Sequence, residues 1–204
     1  MVNRLRSGLG ISMEAFLVST AVVTLAEMGD KTQLLAFLLA ARFKKPIPIM
    51  LGILVATVLN HALAGVLGLW ITEALSPQWL RWLLGMSFIG MAIWALIPDR
   101  IEDSDMRLTR RWGVFGATLV IFFLAEMGDK TQIATVALAA NYAAPILVVL
   151  GTTLGMLVAD VPAVFVGDKF AARIPMRLVH GVAAAIFAVL GVLTLFGVGQ
   201  SLGV

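Results

Sequence analysis

Cysteine is absent, histidine occurs twice and tyrosine once in 204 residues, and only 13% of the chain is charged. Without cysteine there are no disulfides, thiolate metal sites or thiol nucleophiles. Two histidines are too few for a His-rich zinc or iron centre. The scarcity of charge excludes an ordinary soluble domain, whose surface needs more polar side chains than this sequence holds. Nor does the net charge of +3 mark a nucleic-acid partner: the basic residues are scattered over short connections, and the aromatics lie in apolar runs.

What fills the chain instead is apolar: 60% of residues, with a mean hydropathy of +0.99. The long apolar stretches have the length of a bilayer crossing, which makes the lipid bilayer the solvent of this protein. Sheets span membranes only as closed barrels, and these runs lack the alternation of barrel strands, so an all-α membrane protein is expected. Arg4 and Arg6 ahead of the apolar run 15–26 resemble a secretory signal. Nearly the same run recurs at Phe115–Ala125, in mid-chain, so the first is read as a mature helix.

That recurrence is part of a duplication. Leu25-Ala26-Glu27-Met28-Gly29-Asp30-Lys31-Thr32-Gln33 returns unchanged as Leu124-Ala125-Glu126-Met127-Gly128-Asp129-Lys130-Thr131-Gln132, an offset of 99 residues. In the same register Phe16 matches Phe115, Pro46 matches Pro145, Leu51-Gly52 matches Leu150-Gly151, and Phe88 matches Phe187. Each half holds three apolar segments, near 13–41, 46–71 and 79–97, then 114–140, 145–167 and 178–197. Residues 1–98 and 114–204 are thus expected to be three-helix repeats, joined by a polar linker over 99–113. Three is odd, so the second repeat enters the membrane from the opposite side: six transmembrane helices as two inverted repeats, an arrangement common in secondary transporters. Arg42, Lys44, Lys45, Arg100, Arg107, Arg110, Arg111, Lys169, Arg173 and Arg177 would lie on one side, with only Arg4, Arg6 and Arg81 on the other. The positive-inside rule then puts the linker in the cytoplasm and both termini outside.

Each motif copy sits inside a long apolar segment. A charge at a helix centre costs roughly 2.5–3.5 kcal/mol on insertion scales, so six of them point to function rather than packing. On a continuous helix Glu27, Asp30 and Gln33 form one slanted stripe, and Lys31 falls four residues after Glu27, suiting a local ion pair. Gly29 permits a break or a close approach. The second copy would present Glu126, Asp129 and Gln132 from the opposite direction, so that both stripes meet near the midplane. Four carboxylates, the amides of Gln33 and Gln132 and the hydroxyls of Thr32 and Thr131 make an all-oxygen set. Such donors favour hard divalent ions such as Ca²⁺, Mn²⁺ and Mg²⁺. Met28 and Met127 read as packing rather than as thioether ligands. The four carboxylates with Lys31 and Lys130 sum to −2 when ionised, which one divalent cation or two protons would cancel. Burial among like charges favours protonation of carboxylates, so protons would compete with the metal.

The duplicated Glu-x-Gly-Asp-Lys-Thr motif, on the first helix of each half, resembles the cation/proton antiporter family of Golgi calcium/manganese transporters and bacterial manganese exporters. The resemblance covers essentially the whole chain. It implies six helices, Mn²⁺ or Ca²⁺ moved against protons, no resident cofactor, and metal binding by Glu27, Asp30, Glu126 and Asp129. Lys31, Thr32, Gln33, Lys130, Thr131 and Gln132 then serve as auxiliary ligands or charge balance. The expectation is export of a divalent cation from the cytoplasm, manganese ahead of calcium, across a bacterial inner membrane.

Outside the motifs, Asn60, His61 and Asp160 are polar positions within apolar segments, and His61 aligns with Asp160 across the repeat. They are candidates for a proton or access path, although His61 reads first as a hydrogen-bonded helix contact. Gly85, Gly90, Gly181 and Gly191 read as close-packing positions. The five tryptophans, mostly near segment ends, read as interfacial anchors. Three rival functions remain at this stage. A passive cation channel would use the same carboxylates, and an amino-acid exporter would share the repeats. An intramembrane aspartyl protease would pair two aspartates, but here every Asp comes with a Glu and a Lys, and a symmetric duplication suits an ion site better than a cleavage cleft.

Overall fold

A computed structural model describes residues 2–97, 109–142, 144–166 and 176–197. The described residues are all-helical: α1 (Val2–Glu27), α2 (Lys31–Phe43), α3 (Pro46–Ala74), α4 (Pro77–Trp94), α5 (Thr109–Glu126), α6 (Lys130–Tyr142), α7 (Pro145–Val166) and α8 (Met176–Leu195). Pro46 and Pro145 begin α3 and α7, where a missing N–H costs nothing. The helix α7 runs through Pro162 without ending. Thr109–Trp112 already form a helical turn, joined at Gly113 (φ +68°) to the rest of α5. The greater part of the expected linker, 99–108, and the basic positions Lys169 and Arg173 lie outside the described residues.

Pro46–Ala74 and Pro145–Phe165 are long and apolar enough to cross a membrane, and Trp112–Glu126 with Lys130–Tyr142 makes a third span if the pair, bent by 71°, is one broken crossing. The surface agrees with a lipid solvent. Val66, Trp70, Ile93, Phe165 and Val189 are all more than half exposed, an apolar exterior that a soluble monomer does not carry. Trp70, Trp79, Trp82 and Trp112 are exposed near helix ends, as interfacial side chains are.

The halves are interlocked. The helix α1 packs most extensively on α7, and its repeat mate α5 packs on α3. Equivalent glycines make both crossings: a Cβ on Gly52 would lie 2.7 Å from Thr118 Cβ, and one on Gly151 would lie 2.5 Å from the Phe16 carbonyl and 3.1 Å from Ser19 Cβ. The repeat mates α4 and α8 pack on each other, with Phe88 and Phe187 both buried in one core and Gly85 against Gly191. Gly90 and Gly181 make no such contact, so only half of the glycines expected to pack closely do so.

The crossing glycines give a direct test. Gly151→Ala should cost about 1–3 kcal/mol, as overpacking of a tight core does. Gly90→Ala, which meets nothing within 4 Å, should be neutral or stabilise slightly, since alanine is the better helix former. Thermal unfolding of the detergent-solubilised protein compares the two.

Candidate functional site

Both motif copies break the helix that carries them. α1 ends at Glu27 and α2 begins at Lys31; α5 ends at Glu126 and α6 begins at Lys130. Gly29 and Gly128 take φ of +82° and +78°, the left-handed region that glycine enters without penalty and that commonly ends a helix. Asp30 follows in an extended conformation as the N-cap of α2, and its carbonyl accepts from Leu34 N–H as Asp129's does from Ile133 N–H. Glutamine closes each break from the new helix: Gln33 Oε1 accepts from Gly29 N–H (2.9 Å), and Gln132 Oε1 from Gly128 N–H (2.7 Å). The single continuous stripe expected from Glu27, Asp30 and Gln33 is therefore not formed, because the glycine ends the helix between the two acids.

The break redirects the lysines. The spacing of Glu27 and Lys31 predicts a local pair, but Lys31 Nζ lies 2.8 Å from Asp129 Oδ2, and Lys130 Nζ lies 2.8 Å from Asp30 Oδ1. With the helix interrupted, the four-residue geometry is lost, and each lysine becomes the first residue of a new helix. That end of a helix is electropositive and repels an ammonium, and the other repeat's aspartate receives it. The charge of Lys130 reaches Glu27 as well as Asp30, and that of Lys31 reaches Glu126 as well as Asp129. Each ammonium thus contacts the aspartate of the opposite motif.

The site is dry. Glu27, Asp30, Glu126, Asp129, Thr32 and Thr131 are each at most 2% exposed. The Thr32 hydroxyl donates to Glu27 Oε2 (2.7 Å) and that of Thr131 to Glu126 Oε2 (2.9 Å). The other oxygen of each glutamate, Oε1, is buried and accepts no hydrogen bond among the described residues. Orphaned carboxylate oxygens inside a protein are costly unless a cation or proton meets them, so the donor set suits a hard cation. Even so, no three acidic or histidine side chains among the described residues stand close enough together to hold a metal as they are placed. Met127 is 54% exposed and Met28 partly so; neither sits in the core as a packing residue.

Asn60, His61 and Asp160 are fully buried on α3 and α7. Asn60 Nδ2 donates to the Phe123 carbonyl (3.0 Å), and its Oδ1 accepts from Gln132 Nε2 (3.3 Å). Its repeat mate, Ala159, offers its backbone carbonyl to Gln33 Nε2 (2.8 Å) instead. Both glutamines are therefore bound to the opposite repeat, a role that spacing within one motif does not reveal. Asp160 lies close enough for its charge to be felt at Glu27, Asp30 and Glu126. Neither its oxygens nor either ring nitrogen of His61 has a hydrogen-bond partner among the described residues, so His61 is not the hydrogen-bonded helix contact expected of a lone histidine.

The profile of a family described as "Divalent cation/proton antiporter GDT1" matches this chain twice, over residues 15–103 and 114–201. The chain belongs to the GDT1 family. Each matched stretch contains one copy of the motif. A protein of Vibrio cholerae named "Putative manganese exporter" is 48% identical over 185 residues, covering 90% of this chain and 92% of its own length. GDT1-like protein 5 of Arabidopsis thaliana is 26% identical across 92% of this chain and 97% of its own. A GDT1-like protein of Synechocystis is 28% identical across 87% and 96%. No solved structure matches the chain. Membership in this family makes the chain an integral membrane cation transporter, and the family is one of antiporters, not of enzymes.

The Asn60 bracket is testable. Asn60→Ala leaves the Phe123 carbonyl and the Gln132 amide without that partner, and should destabilise the fold by about 1–3 kcal/mol, the cost of an unsatisfied buried polar group. Ala159→Gly keeps the backbone carbonyl used at the equivalent place and should retain the Gln33 bond. Thermal unfolding midpoints of the two variants, read against the unmodified protein, check both.

Proposed function

We propose that this GDT1 protein exports Mn²⁺ from the cytoplasm in exchange for protons, with Ca²⁺ as a poorer substrate, through one site shared by its two motifs. The observation that carries this reading is the pair of reciprocal 2.8 Å contacts, Lys31–Asp129 and Lys130–Asp30, which join the motif of each repeat to that of the other. Glu27, Asp30, Glu126 and Asp129 are the metal ligands, with Thr32, Thr131, Gln33 and Gln132 orienting them and Lys31 and Lys130 balancing charge. Oxygen donors match a hard divalent ion, and the name of the Vibrio cholerae relative favours manganese.

Six spans serve this function, in two inverted three-helix repeats over 1–98 and 114–204. Each broken pair, α1–α2 and α5–α6, counts as one crossing with its break at the midplane, where discontinuous helices bind ions in repeat-built transporters. The loop 99–113 is cytoplasmic and both termini face outward, in a bacterial inner membrane. Asp160, beside the glutamates, and His61 and Asn60 on the facing helix line a proton or access path.

Proteoliposomes carrying a pH gradient decide it. Proton-driven Mn²⁺ uptake should exceed Ca²⁺ uptake, and both Asp30→Asn and Asp129→Asn should reduce it by at least about tenfold, the loss seen even for outer-shell partners of metal sites. Flux that no proton gradient drives uphill, or that survives both substitutions, overturns the reading.

A further inference from the structure

The same pairs that join the motifs occupy two of the four carboxylates proposed as metal ligands. Among the described residues no three acidic groups are gathered, and each aspartate is held by a lysine from across the repeat boundary. Lys130 contacts Asp30 and its charge also reaches Glu27; Lys31 contacts Asp129 and its charge reaches Glu126 and Asp30. An ammonium is a compact, strongly hydrated point charge on a flexible stem, and against a buried aspartate it supplies the countercharge that a bound cation would.

We infer that Lys31 and Lys130 are tethered stand-ins for the transported cation: in the metal-free protein each ammonium occupies the aspartate of the opposite repeat, and the metal binds by displacing it. The inference rests on the transporter reading above. It gives the lysines a task in the cycle. An empty site with four ionised carboxylates would be too costly to carry through a low-dielectric interior; with the ammoniums seated, the two aspartates are neutralised, leaving the glutamates to their threonine hydroxyls. The two lysines are not equivalent. Lys31 has 26% of its side chain exposed and Lys130 5%, so the Lys31–Asp129 pair is the less buried of the two.

A permanent structural brace would use the same two contacts, and the sign of the effect on affinity separates the ideas. A displaced competitor raises metal affinity when it is removed; a brace that positions the aspartates lowers it. Mn²⁺ binding by the purified full chain is measured by calorimetry for the unmodified protein, Asp30→Asn, Lys130→Gln and Lys130→Arg. Lys130→Gln should bind Mn²⁺ at least about tenfold more tightly, as expected for loss of a close charge. Its proton-driven kcat should fall as KM falls, because the empty site loses its counter-charge. Lys130→Arg, which keeps the charge, should restore kcat in large part.

A second measurement needs no variant. Amine acylation of the unmodified protein, mapped by mass spectrometry, should label Lys31 more than Lys130 without metal. Saturating Mn²⁺ should raise labelling at both several-fold relative to the exposed Lys44 and Lys45. Labelling that Mn²⁺ leaves unchanged or lowers overturns the inference, and so does a folded Lys130→Gln that binds Mn²⁺ no more tightly. If Lys130→Gln does not fold, the labelling result decides alone. An unmodified protein that binds neither Mn²⁺ nor Ca²⁺ removes the transporter reading and this inference together; one that binds metal in a manner lost in Asp30→Asn, yet keeps its lysines protected, removes only the inference.

Discussion

A charge buried in an apolar protein must be met by an opposite charge, and here every aspartate of the motif is met by a lysine from the other repeat. That exchange constrains much else in the molecule. A straight helix would leave Lys31 one turn from Glu27, and each motif would be electrically closed on itself. The break at Gly29 and Gly128 opens that loop. It places each lysine at the start of a new helix, unwelcome beside its own backbone dipole, and close to the acids of its counterpart. Neither motif is then electrically complete alone, and the ion pairs add to the packing by which the two halves interlock.

The interlock repeats its main contacts in both halves, and one departure from symmetry lies close to the motifs. Gly52 and Gly151 make equivalent crossings, Thr32 and Thr131 hold equivalent glutamates, and Gln33 and Gln132 bridge equivalent glycines. On α3 and α7 the copies diverge: Asn60 stands against Ala159, and His61 against Asp160. The first difference is absorbed without loss, because a backbone carbonyl at 159 accepts the same glutamine N–H that the Asn60 side chain accepts at 60. The second is not. It puts a further aspartate within electrostatic reach of the glutamates on one side and a buried imidazole on the other. A duplicated scaffold keeps its geometry under such changes while the chemistry at its two faces separates.

How much of this could be read from the sequence follows from which forces are local. The duplication, the helix starts at Pro46 and Pro145, the acid set and the possibility of a break at Gly29 were all legible, since each depends on residue type at short range. The partner of each lysine was not. Spacing rules assume a continuous helix, and the assumption fails at the residue that makes the motif useful. Glycines were legible as close-packing candidates but not by face: Gly85 and Gly191 touch across α4 and α8, whereas Gly90 and Gly181 meet nothing. The expectation for His61 failed because it rests on average burial behaviour, and an interior lined by repeated acids is not average.

Three kinds of contact therefore cross between the repeats, and they differ in what can disturb them. The glycine crossings of α1 on α7 and α5 on α3 are steric, and no ion concentration alters them. The glutamine bonds to Ala159 and Asn60 are neutral, and they hold the second half of each broken helix to the opposite repeat. Only the lysine–aspartate pairs consist of charges that a cation can replace. From Gly52 to Asn60 is eight residues of helix, about 12 Å, while on α7 the steric seam continues to Gly155, where a Cβ would lie 3.0 Å from Thr24 N, one turn before Glu27. On the displacement inferred above, a divalent ion would compete with the ammoniums while the glycine crossings and glutamine bonds still joined the repeats. An interaction that a ligand could break would then lie where other contacts hold the fold, which is the physical condition for a site that fills and empties.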